Sequence, residues 1–364
     1  FTGGSEAESL LKALDDCGLK YLTTMTELLR ALRGACPLVA TDAEEVDISE
    51  DEAEKYRESY IQGSLQLLSV SMTVTARTNS FEASLRRKLE ELEPFFSGPI
   101  QDGLVAVPGQ ALDPALVRIT DSSNKAKAKK LSALLEQAQQ DVRFNTLPLM
   151  SQKAANFEGA VQQLVYDVLI SKVRSCLHGV KSLPIWSAQS DQEGDSADIP
   201  VFSAYPQPFV TSLGEYLLTL PQTLEPLMGL GPLGMAGDST DDTFYASEWV
   251  LKIANGAASL VTESLLGIEQ LSDGGAQQLA ADLEYIINVL SALSVTIDPK
   301  LATLQLVVAT PADQLSSQLT NAAEGAVDMK TVDLVSRMRN MSLTSGSASD
   351  TATATTPETT ASVG

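Results

Sequence analysis

Residues 279–293 read Leu-Ala-Ala-Asp-Leu-Glu-Tyr-Ile-Ile-Asn-Val-Leu-Ser-Ala-Leu, and their spacing decides the fold class. Leu279, Leu283, Ile286, Leu290 and Leu293 recur at alternating steps of four and three, which places all five on one stripe of an α-helix. Such a stripe must be buried against something. Upstream, Trp249, Ile253, Ala257, Leu260, Leu265 and Ile268 repeat much the same spacing, and Leu271-Ser-Asp-Gly-Gly275 separates the two runs. The spacing therefore predicts two amphipathic helices joined by a short turn into an antiparallel pair.

Helical patterns continue outward in both directions, and the strand signal is poor. Ala7 to Leu32 reads as one helix with Leu10, Leu11, Leu14, Tyr21, Leu22, Leu28 and Leu29 as its apolar positions, Gly18 as a candidate interruption and Cys36-Pro37 as its end. The acidic stretch Asp42–Glu54 lacks large apolar residues and reads as a solvated connector. Tyr56, Tyr60, Leu67, Leu68 and Met72 predict a second helix; Phe81, Leu85, Leu89 and Leu92 a third or its continuation, closed by Pro94. Gly98–Asn124, rich in Gly and Pro, reads as a long loop. A long helix is predicted from Ala154 to Val180, with Phe157, Val161, Leu164, Val168 and Leu177 inward and Val165, Leu169 and Val173 widening the face.

The polar run Ser187–Ala197 after Trp186 marks a linker and the domain boundary. Helices are then expected over Phe209–Leu220, Ser247–Ile268, Ala276–Leu293 and Pro299–Ala309, with two more beyond. Thr310-Pro311-Ala312-Asp313 reads as a helix start, since threonine can cap, proline suits the first turn and aspartate favours the positive end. Ser342–Gly364, composed of small, polar and acidic residues, is expected to be disordered. The expectation is thus an all-α protein of stacked helical bundles forming an elongated rod. Its parts are a first bundle region over 1–186, a polar linker over 187–200, a C-terminal bundle over 201–341 and a disordered tail over 342–364.

The chain has 364 residues, 25 Lys and Arg against 47 Asp and Glu, and a net charge of −22. That balance repels nucleic acid and anionic headgroups over most of the surface. The basic cluster Lys125-Ala-Lys-Ala-Lys-Lys130 is the exception, and it reads as a solvated loop or helix start rather than a lipid-docking patch. No stretch approaches the roughly 18 apolar residues that a bilayer span requires. Cys17, Cys36 and Cys176 are odd in number and lack CxxC spacing, which points to buried thiols in a reducing compartment. The chain starts at Phe1, not methionine, and reads as a fragment or processed product.

Catalytic chemistry finds little support. The single histidine, His178, falls at a helix C-terminus, where a cation is favoured, and reads as structural and partly exposed. Asp241-Asp242 with Asn255, Ser259 and Glu263 resembles the two metal motifs of all-helical terpenoid synthases. Those motifs face each other from separated helices, whereas here they are a few residues apart and the first lacks its further aspartate. Gly229-Leu-Gly-Pro-Leu-Gly-Met-Ala-Gly237 lacks the Gly-Lys-Ser/Thr ending of a phosphate loop and follows no strand. Trp249 opens an apolar stripe and reads as core, while Trp186 reads equally as core or as an interaction hot spot. No catalytic, cofactor-binding or metal-ligating residue is assigned.

A family resemblance supplies what periodicity cannot. Ser272-Asp-Gly-Gly-Ala-Gln-Gln278 with Leu279–Leu293, and Phe202-Ser-Ala-Tyr-Pro206 with Leu213-Gly-Glu-Tyr-Leu-Leu-Thr-Leu-Pro-Gln-Thr-Leu-Glu-Pro226, resemble the C-terminal region of the subunit-seven family of the conserved oligomeric Golgi complex. Weaker similarity runs through Asn156–Trp186 and Tyr56–Leu92, the family pattern finishing near Met338–Met341. The resemblance implies the C-terminal part of a longer, non-catalytic vesicle-tethering subunit, peripheral on the cytosolic face of the Golgi membrane. It implies other subunits of that complex as partners, the vesicle-fusion machinery indirectly, and no nucleic acid, cofactor or small-molecule substrate. Retrograde transport within the Golgi and upkeep of its glycosylation enzymes would be its purpose. A cytosolic all-α adaptor outside the Golgi and a metal-dependent all-α enzyme are the alternatives.

Overall fold

The computed structural model describes residues 7–39, 50–101, 125–141, 144–187, 205–225, 240–321 and 327–341, and these residues are helical with no strand among them. Helix α1 spans Ala7–Ala35, α2 Glu50–Gln101, α3 Lys125–Gln140, α4 Pro148–Leu177 and α5 Pro208–Thr223. Then follow α6 over Thr240–Leu266, α7 over Asp273–Ala292, α8 over Pro299–Ala309, α9 over Ala312–Asn321 and α10 over Met329–Met338. Two 3₁₀ turns, Val180–Ser182 and Pro184–Trp186, follow α4.

Several boundaries differ from the sequence reading, each for a local reason. Gly18 does not interrupt α1, and a Cβ there would collide with the Met150 side chain. The glycine marks close helix approach, not a break. Phe81–Leu92 continues α2, which passes Pro94 and ends at Gln101, and Glu50–Glu54 forms its first turn instead of belonging to a connector. The rest of the acidic stretch, the remainder of the Gly98–Asn124 loop, the linker beyond Ser187 and the tail 342–364 lie outside the described residues. Helix α4 begins at Pro148, six residues before the expected Ala154, since Pro148 suits the first turn. Thr310 closes α8 in place of capping α9: its hydroxyl donates to the Leu306 carbonyl at 2.6 Å.

Backbone contacts divide the chain into two units that follow packing and not chain order. Unit 1 comprises Phe1–His178, Pro208–Leu260 and Val289–Val295; unit 2 comprises Gly179–Gln207, Val261–Asn288 and Thr296–Gly364. In unit 1, α1, α2 and α5 all pack on α4, and α3 packs on α2. The reason is in the sequence of α4: Phe157, Val161, Leu164, Val165, Val168, Leu169, Ile170 and Val173 spread round most of its circumference, and all are buried. A helix that is apolar on nearly every side must be surrounded.

Polar groups fix the neighbours of α4. Leu147 at its N-terminus provides no side-chain cap, and the carboxylate of Asp15 on α1 accepts instead from the backbone N–H groups of Leu149 at 3.1 Å and Met150 at 2.7 Å. Farther along, Asp167 is buried and accepts from Arg33 of α1 and, at 3.1 Å, from Gln163. On the α2 side, Glu54 pairs with buried Arg57 and, at 3.0 Å, with Lys172 of α4. Tyr216 of α5 donates its hydroxyl to the Leu169 carbonyl at 2.6 Å, and burial pushes its phenol pKa up. Arg86 of α2 donates to the carbonyls of Ala138, Asp141 and Phe144 at the end of α3, while Glu82 accepts from the Thr146 backbone N–H at 3.0 Å.

Unit 2 is organised around Trp186. The residue is buried, its indole N–H donates to the Val180 carbonyl at 2.6 Å, and its own carbonyl accepts from the Ser272 N–H at 2.7 Å. Gly275 abuts that carbonyl so closely that a Cβ would lie 2.5 Å from it, which explains the second glycine of the Leu271–Gly275 turn. Leu271 N–H donates to the Met338 carbonyl at 2.8 Å. The turn is thus built into the core, and within unit 2 α8 packs with α10. Asp328 caps α10 through Thr331, its own N–H donates to the Thr303 hydroxyl of α8 at 2.9 Å, and Arg339 donates to the terminal carbonyls Val307 and Thr310.

Leu279, Leu283, Ile286 and Leu290 are all buried, as their spacing requires. Replacing Ile286 by Asp is expected to lower thermal stability strongly, since it forfeits roughly 1.5–3 kcal/mol of apolar burial and adds the cost of desolvating a carboxylate. An unchanged melting temperature would show the stripe to be free surface. Asp15→Ala is expected to cost about 1–2 kcal/mol by stripping the N-terminus of α4. Denaturant unfolding of variant and parent measures it.

Candidate functional surface

The residues weighed for catalysis do not converge. Asp241 and Asp242 lie in the first turn of α6, and Asn255, Ser259 and Glu263 are exposed along the same helix. Asn255 donates to the Leu251 carbonyl at 2.7 Å and Ser259 to the Asn255 carbonyl at 3.2 Å, so both side chains serve their own helix. Among the described residues no group of three or more His, Cys, Asp or Glu is placed to hold a metal ion. His178 is the exposed C-cap residue of α4. The glycine-rich run Gly229–Gly237 lies outside the described residues. Lys125–Lys130 opens α3, and Lys130 is exposed, 3.6 Å from Glu8. The cysteines are free; Cys36 is buried, Cys176 half-buried and Cys17 exposed, so burial does not hold for all three. Cys17 turns outward because α1 contacts α4 through the face bearing Gly18 and Leu22, not the next one.

Both tryptophans belong to cores. Trp249 is buried with Lys252 over its ring at 4.8 Å, and Trp186 is the anchor of unit 2. An open cleft of about 340 Å³ beside Trp186 is lined by Lys181, Leu183, Pro184, Glu269 and Gln270 among others. One lysine and one glutamate on its rim give it no charge of either sign to orient a ligand.

One ionisable group stands out by burial. Asp282 of α7 accepts from the Gln207 backbone N–H at 2.8 Å and from Gln278 Nε2 at 3.1 Å, and Gln278 also donates to the Tyr205 carbonyl at 3.1 Å. The two side chains thereby clasp the main chain of residues 205–207. Oδ2 of Asp282 has no partner. Burial pushes the pKa of Asp282 up to about 6, against the partial relief of those two hydrogen bonds. Nothing in the leucine pattern of 279–293 signalled this role, because an aspartate one residue before Leu283 reads as solvated.

The exposed surface carries its clearest feature on α1. The sequence reading gave seven apolar positions on this helix, and the structure divides them. Leu22 and Leu29 are buried, whereas Leu10, Tyr21 and Leu28 are each 61% exposed and Leu14 is 37% exposed. Leu32 joins the outer set at 48%. Exposed apolar residues on α2, Tyr56, Val70 and Phe81, are interrupted by Gly63 and Arg77 and form no comparable row. The warning sign was the width of the charge-free arc of α1, broader than one neighbouring helix can cover.

Sequence comparison identifies the family. The sequence profile of the Golgi complex component 7 (COG7) family matches residues 1–340. The chain belongs to the Golgi complex component 7 family. It is 43% identical over 372 residues to conserved oligomeric Golgi complex subunit 7 of Arabidopsis thaliana, covering 94% of this chain and 44% of that protein. The human subunit 7 is 22% identical over 323 residues, covering 80% and 41%, and that of Drosophila melanogaster 31% identical over 159 residues, covering 42% and 21%. This Golgi complex component 7 chain thus spans less than half the length of the curated relatives it matches. No solved structure matches it.

Asp282 supplies a pH dependence. Its proton leaves near pH 3.8 in the unfolded chain and near 6 in the folded one, so the stabilisation it contributes is complete below 3.8 and is lost as pH rises through 6. Asp282→Asn, uncharged at any pH, is expected to gain on the parent between about pH 4 and 6.5 by at most about 3 kcal/mol. Thermal unfolding across that range checks it; a constant difference would show an ordinary carboxylate.

Proposed function

We propose that this chain is the helical part of a non-catalytic subunit of the Golgi vesicle-tethering complex, working by holding partner subunits at fixed spacing. The observation that carries the reading is the family match over residues 1–340. The architecture supports it: all-helical units whose interior polar groups are used to join helices, and an apolar helix face open to solvent. Such faces recognise other helices by laying apolar side chains into matching grooves. The protein acts at the cytosolic face of the Golgi membrane as a peripheral component, and among the described residues no helix is long and apolar enough to cross a membrane. Its partners are the other subunits, with the vesicle-fusion machinery engaged through them. The outcome of its work is retrograde capture of vesicles within the Golgi and retention of glycosylation enzymes.

Depletion of the full-length protein from its native cells is expected to break up the complex and alter surface glycans. Restoring it without Ser342–Gly364 should rescue both, because the family match ends at residue 340. Intact complex and normal glycans after complete depletion would overturn the reading. A rescue that required the last residues would keep the Golgi assignment and give that segment a part in assembly.

A further inference from the structure

The open face of α1 has an internal order that membership of a tethering complex does not explain. Leu10, Leu14, Cys17, Tyr21, Met25, Leu28 and Leu32 follow one another at steps of four, three, four, four, three and four. All are exposed except half-buried Met25. At 3.6 residues per turn this row drifts by only about 40° and runs nearly parallel to the helix axis for roughly 33 Å. Read from Tyr21, it is the same in both directions. Leu10 and Leu32 are equidistant from Tyr21, as are Leu14 and Leu28, and Cys17 and Met25.

A contact between two copies related by a two-fold axis must be self-complementary, each patch meeting itself reversed. This row meets that condition in position, and in residue size at its two leucine pairs. An antiparallel copy crossing at Tyr21 sets Leu10 against Leu32 of the second copy, Leu14 against Leu28, and Cys17 against Met25, with the two tyrosines on the axis. Charge is compatible as well. In a chain of net charge −22, two copies repel over most of their surfaces, and a contact needs a face without charges. The row has none, and its outer border carries the small residues Ala13, Thr24 and Ala31 together with the exposed Lys20. The charged residues Asp15 and Arg33 are held against α4 on the other side. The area covered on two copies is on the order of 1,000 Å², the lower end of specific interfaces.

We propose that the uncharged face of α1 is a self-association surface on which a second copy of this chain docks antiparallel about Tyr21. The small area makes the dimer dissociable, in roughly the micromolar range. The proposal gives a second copy of this chain the open face that also supports the Golgi reading, and the oligomeric state tests it separately from depletion and rescue.

Analytical ultracentrifugation of the full-length protein over micromolar concentrations is expected to show a reversible monomer–dimer equilibrium. Leu14→Glu or Leu28→Glu should weaken it by more than about a hundredfold, because each substitution enters the contact twice, and should leave the melting temperature of the monomer unchanged. Cysteine pairing reads the register, since a disulfide requires Cβ atoms about 3.5–4.5 Å apart. In a Cys17→Ser background, Tyr21→Cys should form a disulfide-linked dimer on mild oxidation. Leu10→Cys should not link to itself, but should link to Leu32→Cys chains when the two are mixed. A full-length protein that stays monomeric overturns the proposal, and slow hydrogen exchange of α1 in that monomer would assign the face to another part of the longer chain. Self-linking of Leu10→Cys as readily as the mixed pair overturns the antiparallel register.

Discussion

Everything in unit 1 follows from the need to bury α4 on all sides. A helix with Val, Leu and Ile round its circumference cannot rest against one neighbour, so α1, α2 and α5 must enclose it. Apolar burial alone would let those neighbours slide, because one valine-lined groove is much like the next. The polar contacts remove that freedom. Asp15 reaches the first N–H groups of α4, which its own Leu147 leaves unmet, and Arg33 meets the buried Asp167 about five turns farther along. Two fixed points on α1 define its register and direction on α4. Each would be costly to break, because a buried carboxylate or a bare helix end would be left behind.

Unit 2 solves the same problem by main-chain contact. Trp186 fills the interior, and the chain that carries it exchanges hydrogen bonds with the turn before α7. Gly275 is required there because any Cβ would meet the Trp186 carbonyl. Arg339 meets the carbonyls that end α8, which places a cation at the negative end of a helix and satisfies acceptors that the helix leaves open. Burial lowers the pKa of that guanidinium, and arginine is the residue suited to such a buried charged contact.

Legibility in the sequence followed physical locality. The 3.6-residue period placed most helices, including α8 at its observed ends, because period is written in neighbouring residues. What period cannot give is the identity of the neighbour. Leu22 and Leu28 carry the same apolar signal on α1, yet one is core and the other surface, since only the position of α4 distinguishes them. Asp15 could not be read as a cap for a helix beginning 133 residues later, nor Thr310 as belonging to the helix before it. Pro94 misled because a proline removes one hydrogen bond, a local cost that a helix of 52 residues can absorb. Trp186 was equally plausible as core or contact, and Gly275 decides in favour of core by fitting against its carbonyl.

The division of charge on α1 links stability to assembly. Its carboxylate and guanidinium nearest α4 are spent on intramolecular contacts, and the adjoining arc is kept free of charge while the whole chain carries −22. A monomer gains nothing from exposing five large apolar side chains in one row, and solubility argues against it. Long-range repulsion between acidic surfaces discourages unspecific association, while the uncharged row remains the place where close approach is unopposed. Acidity and the open face therefore act together: the first excludes most encounters, and the second selects the geometry of those that remain.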